Sequence, residues 1–348
     1  MRNTKHCLAL FSGGLDSMLA CKIISLQGIK VTALHFDIGV DVAPQKLEIL
    51  AAHAKEAGAD FKVVDVQEAY LQEVLFSPKY GYGKAFNPCV DCHGFMFRQA
   101  IALLDELNAS FVISGEVVGQ RPMSQRADAM AQVRKLAGCE EDLILRPLCA
   151  KNLKPTLPEL QGWVSREGLY DFSGRGREKQ LALAKEFGFT DFESPGGGCA
   201  FTMADFATKI MDFLRFEGGV EFEKKSDLLG LDLKGVMTPL DLQSLRFGRH
   251  LRLPDGAKLI IGRDQSDNEK IDALNNPRYE QVRFDLVGAH ALLSANASPQ
   301  DKLLSARLVL TYCRFEPNKS YTAKIGTMSL AGVTPFESKE AAREFFIL

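Results

Sequence analysis

Two clusters of reactive side chains stand out in this 348-residue chain. The first is Ser12-Gly13-Gly14-Leu15-Asp16-Ser17. Glycines let a backbone approach a ligand closely, and the first amides of a helix point outward without internal partners. A helix N-terminus also carries partial positive charge, so such a turn suits phosphate oxygens. Ser12 and Ser17 add hydroxyl donors, and Asp16 makes chemical sense beside phosphates if it holds Mg2+. The second cluster is Asn87-Pro88-Cys89-Val90-Asp91-Cys92-His93, joined by Cys199 at the end of Ser194-Pro195-Gly196-Gly197-Gly198. Cys-x-x-Cys brings two sulfurs to one task, and a thiol at a helix start gains thiolate character.

These groups need elements to hold them. Cys7 to Phe11 is an apolar run and Met18 to Ile24 has helical spacing, so the glycine turn joins a buried strand to a helix. Further strands are expected at 31–36, 61–66, 111–115 and 143–145, with helices at 44–57 and 95–107 between them. This alternation predicts an α/β domain with a doubly wound, mostly parallel sheet, whose ligands sit at the carboxyl ends of the strands. Ser12, Asp37, Gly115 and Arg146 fall at or just past those ends. Asp37 suits a ribose, a substrate or Mg2+, or equally a loop cap. Glu116, Gln120 and Arg121 form a polar cluster after the fourth strand, and Ser173-Gly174-Arg175-Gly176-Arg177 is a basic glycine turn fit for ATP, RNA or solvent.

Helices are expected at 157–168, 177–187 and 205–216, after which a charged, glycine-bearing stretch suggests a linker over 216–234. The organisation expected is 1–215, linker, 235–348. The last part reads as a smaller α+β or mostly β module, with strand-like runs at 245–247, 258–261, 279–284, 306–310 and 320–325. Arg246, Arg249, His250 and Arg263 lie close together there with Phe247, a set suited to RNA phosphates and bases or simply to solvent. A net charge of -2 gives no global basic signature. Eight cysteines in a chain this long do not form a disulfide framework. Without a signal peptide or a spanning apolar run, a cytoplasmic protein is expected.

The glycine turn resembles the PP-loop of the ATP pyrophosphatases and not a Walker A loop, since no G-K-[ST] follows. Asn87-Pro88-Cys89-Val90-Asp91-Cys92 is similar to the N-P-C-x-x-C element of the tRNA 2-thiouridylases. Ser114-Gly115-Glu116-Val117-Val118-Gly119-Gln120 resembles the T-G-E-x-x-G-Q stretch of the 4-thiouridine synthases, and Arg146-Pro147-Leu148 the R-P-L element of both. Phe247-Gly248-Arg249-His250, Gly262-Arg263 and Asp267-Asn268-Glu269 resemble the RNA-binding module of NFACT proteins.

The resemblance implies an ATP-dependent tRNA sulfurtransferase. Ser12, Gly13, Gly14, Asp16, Ser17, Asp37, Gly115 and Arg146 would serve ATP and Mg2+. Cys92 would be catalytic with Cys199 as its second cysteine. The partners would be tRNA and a sulfur donor, either a persulfide carrier or sulfide. Three readings of Cys89, Cys92 and Cys199 stay open: a zinc site completed by His93, catalytic thiols, or a [4Fe-4S] cluster with one iron free for sulfur. The rival functions are a PP-loop amidotransferase or ligase and a non-enzymatic, ATP-sensing RNA-binding protein.

Overall fold

A computed structural model describes residues 5–40, 44–139, 142–192 and 199–347. The chain forms two compact units, Met1–Thr202 with Leu229–Leu231, and Met203–Leu228 with Asp232–Leu348.

The first unit is built on strands β1 (His6–Leu10), β2 (Lys30–Asp37), β3 (Asp60–Asp65), β4 (Phe111–Ser114) and β5 (Ile144–Leu145). They lie in the order β3-β2-β1-β4-β5. All pairings are parallel, with Ala9 opposite both Ala33 and Ile113. Central β1 is covered on both faces, so its sequence is a continuous apolar run. Helices α1 (Leu15–Ser25), α2 (Pro44–Glu56), α3 (Gln67–Tyr70), α4 (Cys89–Ala102), α5 (Ala127–Leu136), α6 (Leu157–Leu160) and α7 (Glu178–Phe187) accompany it. The chain leaves β1 toward β2 on one side and finds β4 on the other. Such a reversal opens a crevice at the carboxyl ends of β1 and β4.

Two expectations change here. The helix carrying Cys-x-x-Cys starts at Cys89 and not near Gly94, so both thiols lie in its first turn. The expected helix over 157–168 is only α6 followed by a short 3-10 turn at Arg166–Gly168. Gly162, at φ 65°, ends the helical path between them.

The second unit contains α8 (Ala204–Phe216), α9 (Pro239–Ser244), α10 (Gln265–Ala273) and α11 (Pro299–Thr311). Its strands are β6 (Arg249–Arg252), β7 (Lys258–Ile261), β8 (Tyr279–Arg283), β9 (Ala291–Ser294), β10 (Tyr321–Ile325) and β11 (Met328–Val333). They form an antiparallel sheet in the order β11-β10-β8-β9-β7-β6. Helix α8, expected to close the first domain, packs in this unit. Its Asp212 receives the fully buried Lys258 at 2.7 Å and Arg252 at 2.5 Å. The run 306–310, expected as a strand, lies inside α11, which is capped by Ser298 and opened by Pro299. Residues 245–247 are likewise no strand but follow α9.

Candidate functional site

The glycine turn leaves β1 and enters α1. Gly13 has φ +78°, and a Cβ there would stand 2.2 Å from Leu50 Cδ2. Gly14 occupies the N-cap and supplies no side-chain cap to the helix amides. Its amide donates to Ser12 Oγ at 3.4 Å, and Ser17 Oγ donates back to Gly14 O at 2.7 Å. His53 braces the turn from α2, with Nδ1 3.2 Å from Gly13 O. Asp16 Oδ2 accepts from Gln120 Nε2 at 2.7 Å, and its Oδ1 lies 3.4 Å from Arg177 Nη2. Burial raises the Asp16 carboxyl above its ordinary value, partly offset by Arg177 and Gln120. Asp37 ends β2 as expected, but its carboxylate braces a loop. It accepts from Gly39 N and from Gln67 Nε2, each at 2.8 Å.

The loop after β4 joins this turn to the thiols. Gly115 packs on α1 so tightly that a Cβ would lie 2.4 Å from the carbonyl carbon of Asp16. The next residue faces the cysteines. Buried Glu116 accepts from His93 Nδ1 at 2.7 Å and from Arg146 Nε at 2.7 Å. Burial alone would raise the Glu116 carboxyl, but Arg146 and His93 outweigh it and hold it at about 2. Burial works against charge on His93 too, yet its hydrogen bonds to Cys89 and Glu116 lift it to about 10. Burial also opposes ionisation of Cys89, but the hydrogen bond and charge of His93, with Ser124 and Asn87, keep the thiol below its ordinary value. Arg146, expected to serve the nucleotide, thus anchors the acid that holds His93 on Cys89.

Cys92 is in a different state. Burial pushes its thiol far up, the Tyr70 hydroxyl works against that, and the charges of Cys89 and Cys199 add to it. The three sulfurs therefore lie within electrostatic reach of one another and of Tyr70. The strand of chain after Cys199 is tied to this region, since Phe201 stacks on Tyr70 with ring centroids 5.9 Å apart and accepts from Phe86 N at 2.9 Å. The Ser194-to-Gly198 segment lies outside the described residues. Among the described residues no three His, Cys, Asp or Glu side chains are grouped to hold a metal ion.

In sequence His93 stood as a zinc-ligand candidate and Glu116 as part of a polar cluster, neither with its present partner. Tyr70, Gln180 and Ser124 carried no signal, because a residue drawn in by packing leaves no local pattern.

In the second unit the basic candidates separate. His250 is buried at 2% exposure, with Nε2 2.8 Å from Phe247 O. Burial, with Lys258 and Lys209 nearby, keeps it neutral. Phe247 is buried as well. Both are therefore removed from the expected RNA-facing set, because their side chains fill the core around β7. Arg263 is half exposed and paired with Asp267 at 2.6 Å. Arg249 lies over the Tyr312 ring at 4.9 Å, and Arg246 over Phe206 at 5.1 Å.

The first unit is thus a parallel α/β domain with a glycine turn after β1 and with Glu116, in the loop after β4, holding the thiol helix through His93. The family model of the thiamine biosynthesis protein (ThiI) matches residues 3–184, more than half of the chain, and the chain belongs to that family. The NFACT protein RNA binding domain matches residues 248–346. A tRNA-specific 2-thiouridylase MnmA of Petrotoga mobilis is 28% identical over 130 residues, covering 32% of this chain and 35% of the relative. A tRNA sulfurtransferase of Desulfurococcus amylolyticus is 27% identical over 178 residues, covering 50% of this chain and 34% of the relative. The chain thus spans about a third of the length of these relatives. A solved structure described as a predicted subunit of tRNA methyltransferase from Methanocaldococcus jannaschii is 17% identical, with a TM-score of 0.34, covering 52% of this chain and 76% of that one. Among the described residues no helix is long and apolar enough to cross a membrane.

Proposed function

We propose that this protein is a cytoplasmic, ATP-dependent tRNA sulfurtransferase. The observation that carries the reading is the adjacency of Gly115 and Glu116. One packs on Asp16 of the glycine turn, and the other holds His93 beside Cys89. ATP lodges at Ser12, Gly13, Gly14 and Ser17, with its phosphates toward the amides that open α1. Asp16 would hold Mg2+, which would supply positive charge to the phosphates. Asp37 and Gly115 border the same crevice. A uridine carbonyl oxygen of tRNA attacks the α-phosphate and pyrophosphate leaves. The adenylylated carbon then accepts sulfur and releases AMP.

From a persulfide carrier, the outer sulfur passes to Cys92 as the carrier's thiol leaves. That sulfur attacks the adenylylated carbon as AMP departs. Cys199 then frees the thiolated base by forming a disulfide with Cys92, which an external dithiol reduces, whereas free sulfide would attack the same carbon directly. Cys89, its thiol held below the ordinary value by His93, is the one most ready to act as a base or nucleophile beside them. Arg246, Arg249 and Arg263 of the NFACT-like unit contact tRNA phosphates. The similarity to a 2-thiouridylase and a tRNA sulfurtransferase supports this scheme over an amidotransferase or ligase, which needs no thiols at that edge.

The test is the Cys92→Ser variant. It binds ATP as wild type does and no longer forms a thiolated nucleoside, read by mass spectrometry of tRNA. Sulfur incorporation retained in that variant would remove Cys92 from the scheme. A visible absorption band with stoichiometric iron in anaerobically purified protein would replace the bare-thiol route.

A further inference from the structure

The basic turn 173–177 is not used by the thiolation scheme, yet it is pinned to the glycine-turn neighbourhood. Ser173 bridges Val118 in parallel, and Gly174 N donates to Val118 O at 2.8 Å. Gly174 takes φ +81°, which turns the chain back toward α1. Arg177 arrives with Nη2 3.4 Å from Asp16 Oδ1 and a side chain only 18% exposed. Its Nε is buried and has no hydrogen-bond partner among the described residues. One helical turn on, Gln180 Nε2 donates to Gln120 Oε1 at 3.2 Å, and Gln120 holds the other oxygen of Asp16 at 2.7 Å.

Two facts about this set are chemically unbalanced. The carboxylate that would meet Mg2+ is already engaged by two donors. The guanidinium beside it makes a long contact and keeps an N–H to spare. A planar fork of donors is suited to phosphate oxygens, which carry more charge than one carboxylate. Resting on the reading that ATP lodges at the glycine turn, we propose that Arg177 guards Asp16 and exchanges partners. Without nucleotide it holds the Asp16 carboxylate. When magnesium nucleotide enters, it moves to the phosphate oxygens and leaves Asp16 to the cation. No bond is made or broken in this exchange, and charge is redistributed within one set. Its consequence is that a divalent cation alone finds Asp16 occupied, whereas cation and nucleoside triphosphate bind together.

The test compares full-length wild type, Arg177→Ala, Arg177→Lys and Arg177→Gln. ATP affinity is read by equilibrium dialysis, Mn2+ binding by electron paramagnetic resonance with and without ATP, and folding by circular dichroism. Arg177→Ala should bind ATP about tenfold more weakly, the worth of one charge-assisted contact. It should also take up Mn2+ without nucleotide more readily than wild type. Arg177→Lys should fall between them. If Arg177→Ala does not fold, Arg177→Gln carries the same expectation. Variants with wild-type ATP affinity overturn the exchange alone. Wild type that binds no ATP overturns the underlying reading with it.

Discussion

His93 Nδ1 lies 2.7 Å from Glu116 Oε1, and this contact joins the thiol helix to the loop that leaves β4. Arg146 closes the set from the far side of the same carboxylate. In Glu116→Gln, His93 loses its acceptor charge and Arg146 is left as a buried cation without a counterion. A loss of about 3 kcal/mol in stability is expected, because removing one partner from a buried ion pair strands the other. Cys89 alkylation by iodoacetamide at neutral pH should slow, because weaker charge on His93 leaves the thiol less lowered. Chemical denaturation and mass spectrometry of the modified cysteine read the two effects. Unchanged alkylation would remove Glu116 from the control of Cys89.

Gly115→Ala should damage nucleotide binding more than stability. The added Cβ meets the backbone of Asp16 at 2.4 Å, which cannot yield as a flexible side chain would. Overpacking of this kind costs about 1–3 kcal/mol. The turn it displaces is the one proposed to face phosphate, so ATP binding in a dialysis assay should be lost while the chain still melts cooperatively. Wild-type affinity in that variant would show that the turn has room to shift.

The charged pair gives the first unit a pH window. Glu116 is held at about 2 against its ordinary 4.5, so its contribution is present above 4.5 and disappears as pH falls toward 2. His93 is raised to about 10 from 6.5, so its contribution is full below 6.5 and is lost as pH climbs toward 10. The two overlap fully between pH 4.5 and 6.5. Thermal melts across pH should decline on both sides of that plateau. In His93→Gln the alkaline decline should shrink, and an unchanged alkaline limb would contradict the assignment.

In the second unit, Asp212→Ala should be severe. It leaves Lys258, fully buried, and Arg252 without the carboxylate between them. A loss of about 3–5 kcal/mol is expected by analogy with other buried pairs broken on one side. Urea unfolding followed by circular dichroism measures it. Replacing Lys258 by Met in the same chain should recover part of the loss, since an apolar group needs no partner.

The parallel sheet was legible because strands buried on both faces write themselves as apolar runs, as Cys7 to Phe11 does. The glycine turn was legible because its strand, turn and helix are contiguous. In the second unit the signal failed for 306–310. Four apolar residues around Arg307 have no period that separates strand from buried helix, and the deciding cue lay upstream at Ser298-Pro299. Of the thiol environment the members were legible but not their coupling. His93, Glu116 and Arg146 come from three separate segments, and what couples them is sheet order, which no spacing reveals. The same reasoning explains His250 and Phe247. Beside arginines they look exposed, yet the edge of β6 turns them inward.

The order in which these charges enter the chain has a consequence for biosynthesis. Cys89, His93 and Glu116 leave the ribosome before Arg146, the residue that balances the set. Until the fifth strand has been translated, Glu116 has His93 but lacks the guanidinium that shares its carboxylate. Assembly of the thiol site is therefore expected to finish only after translation past that strand.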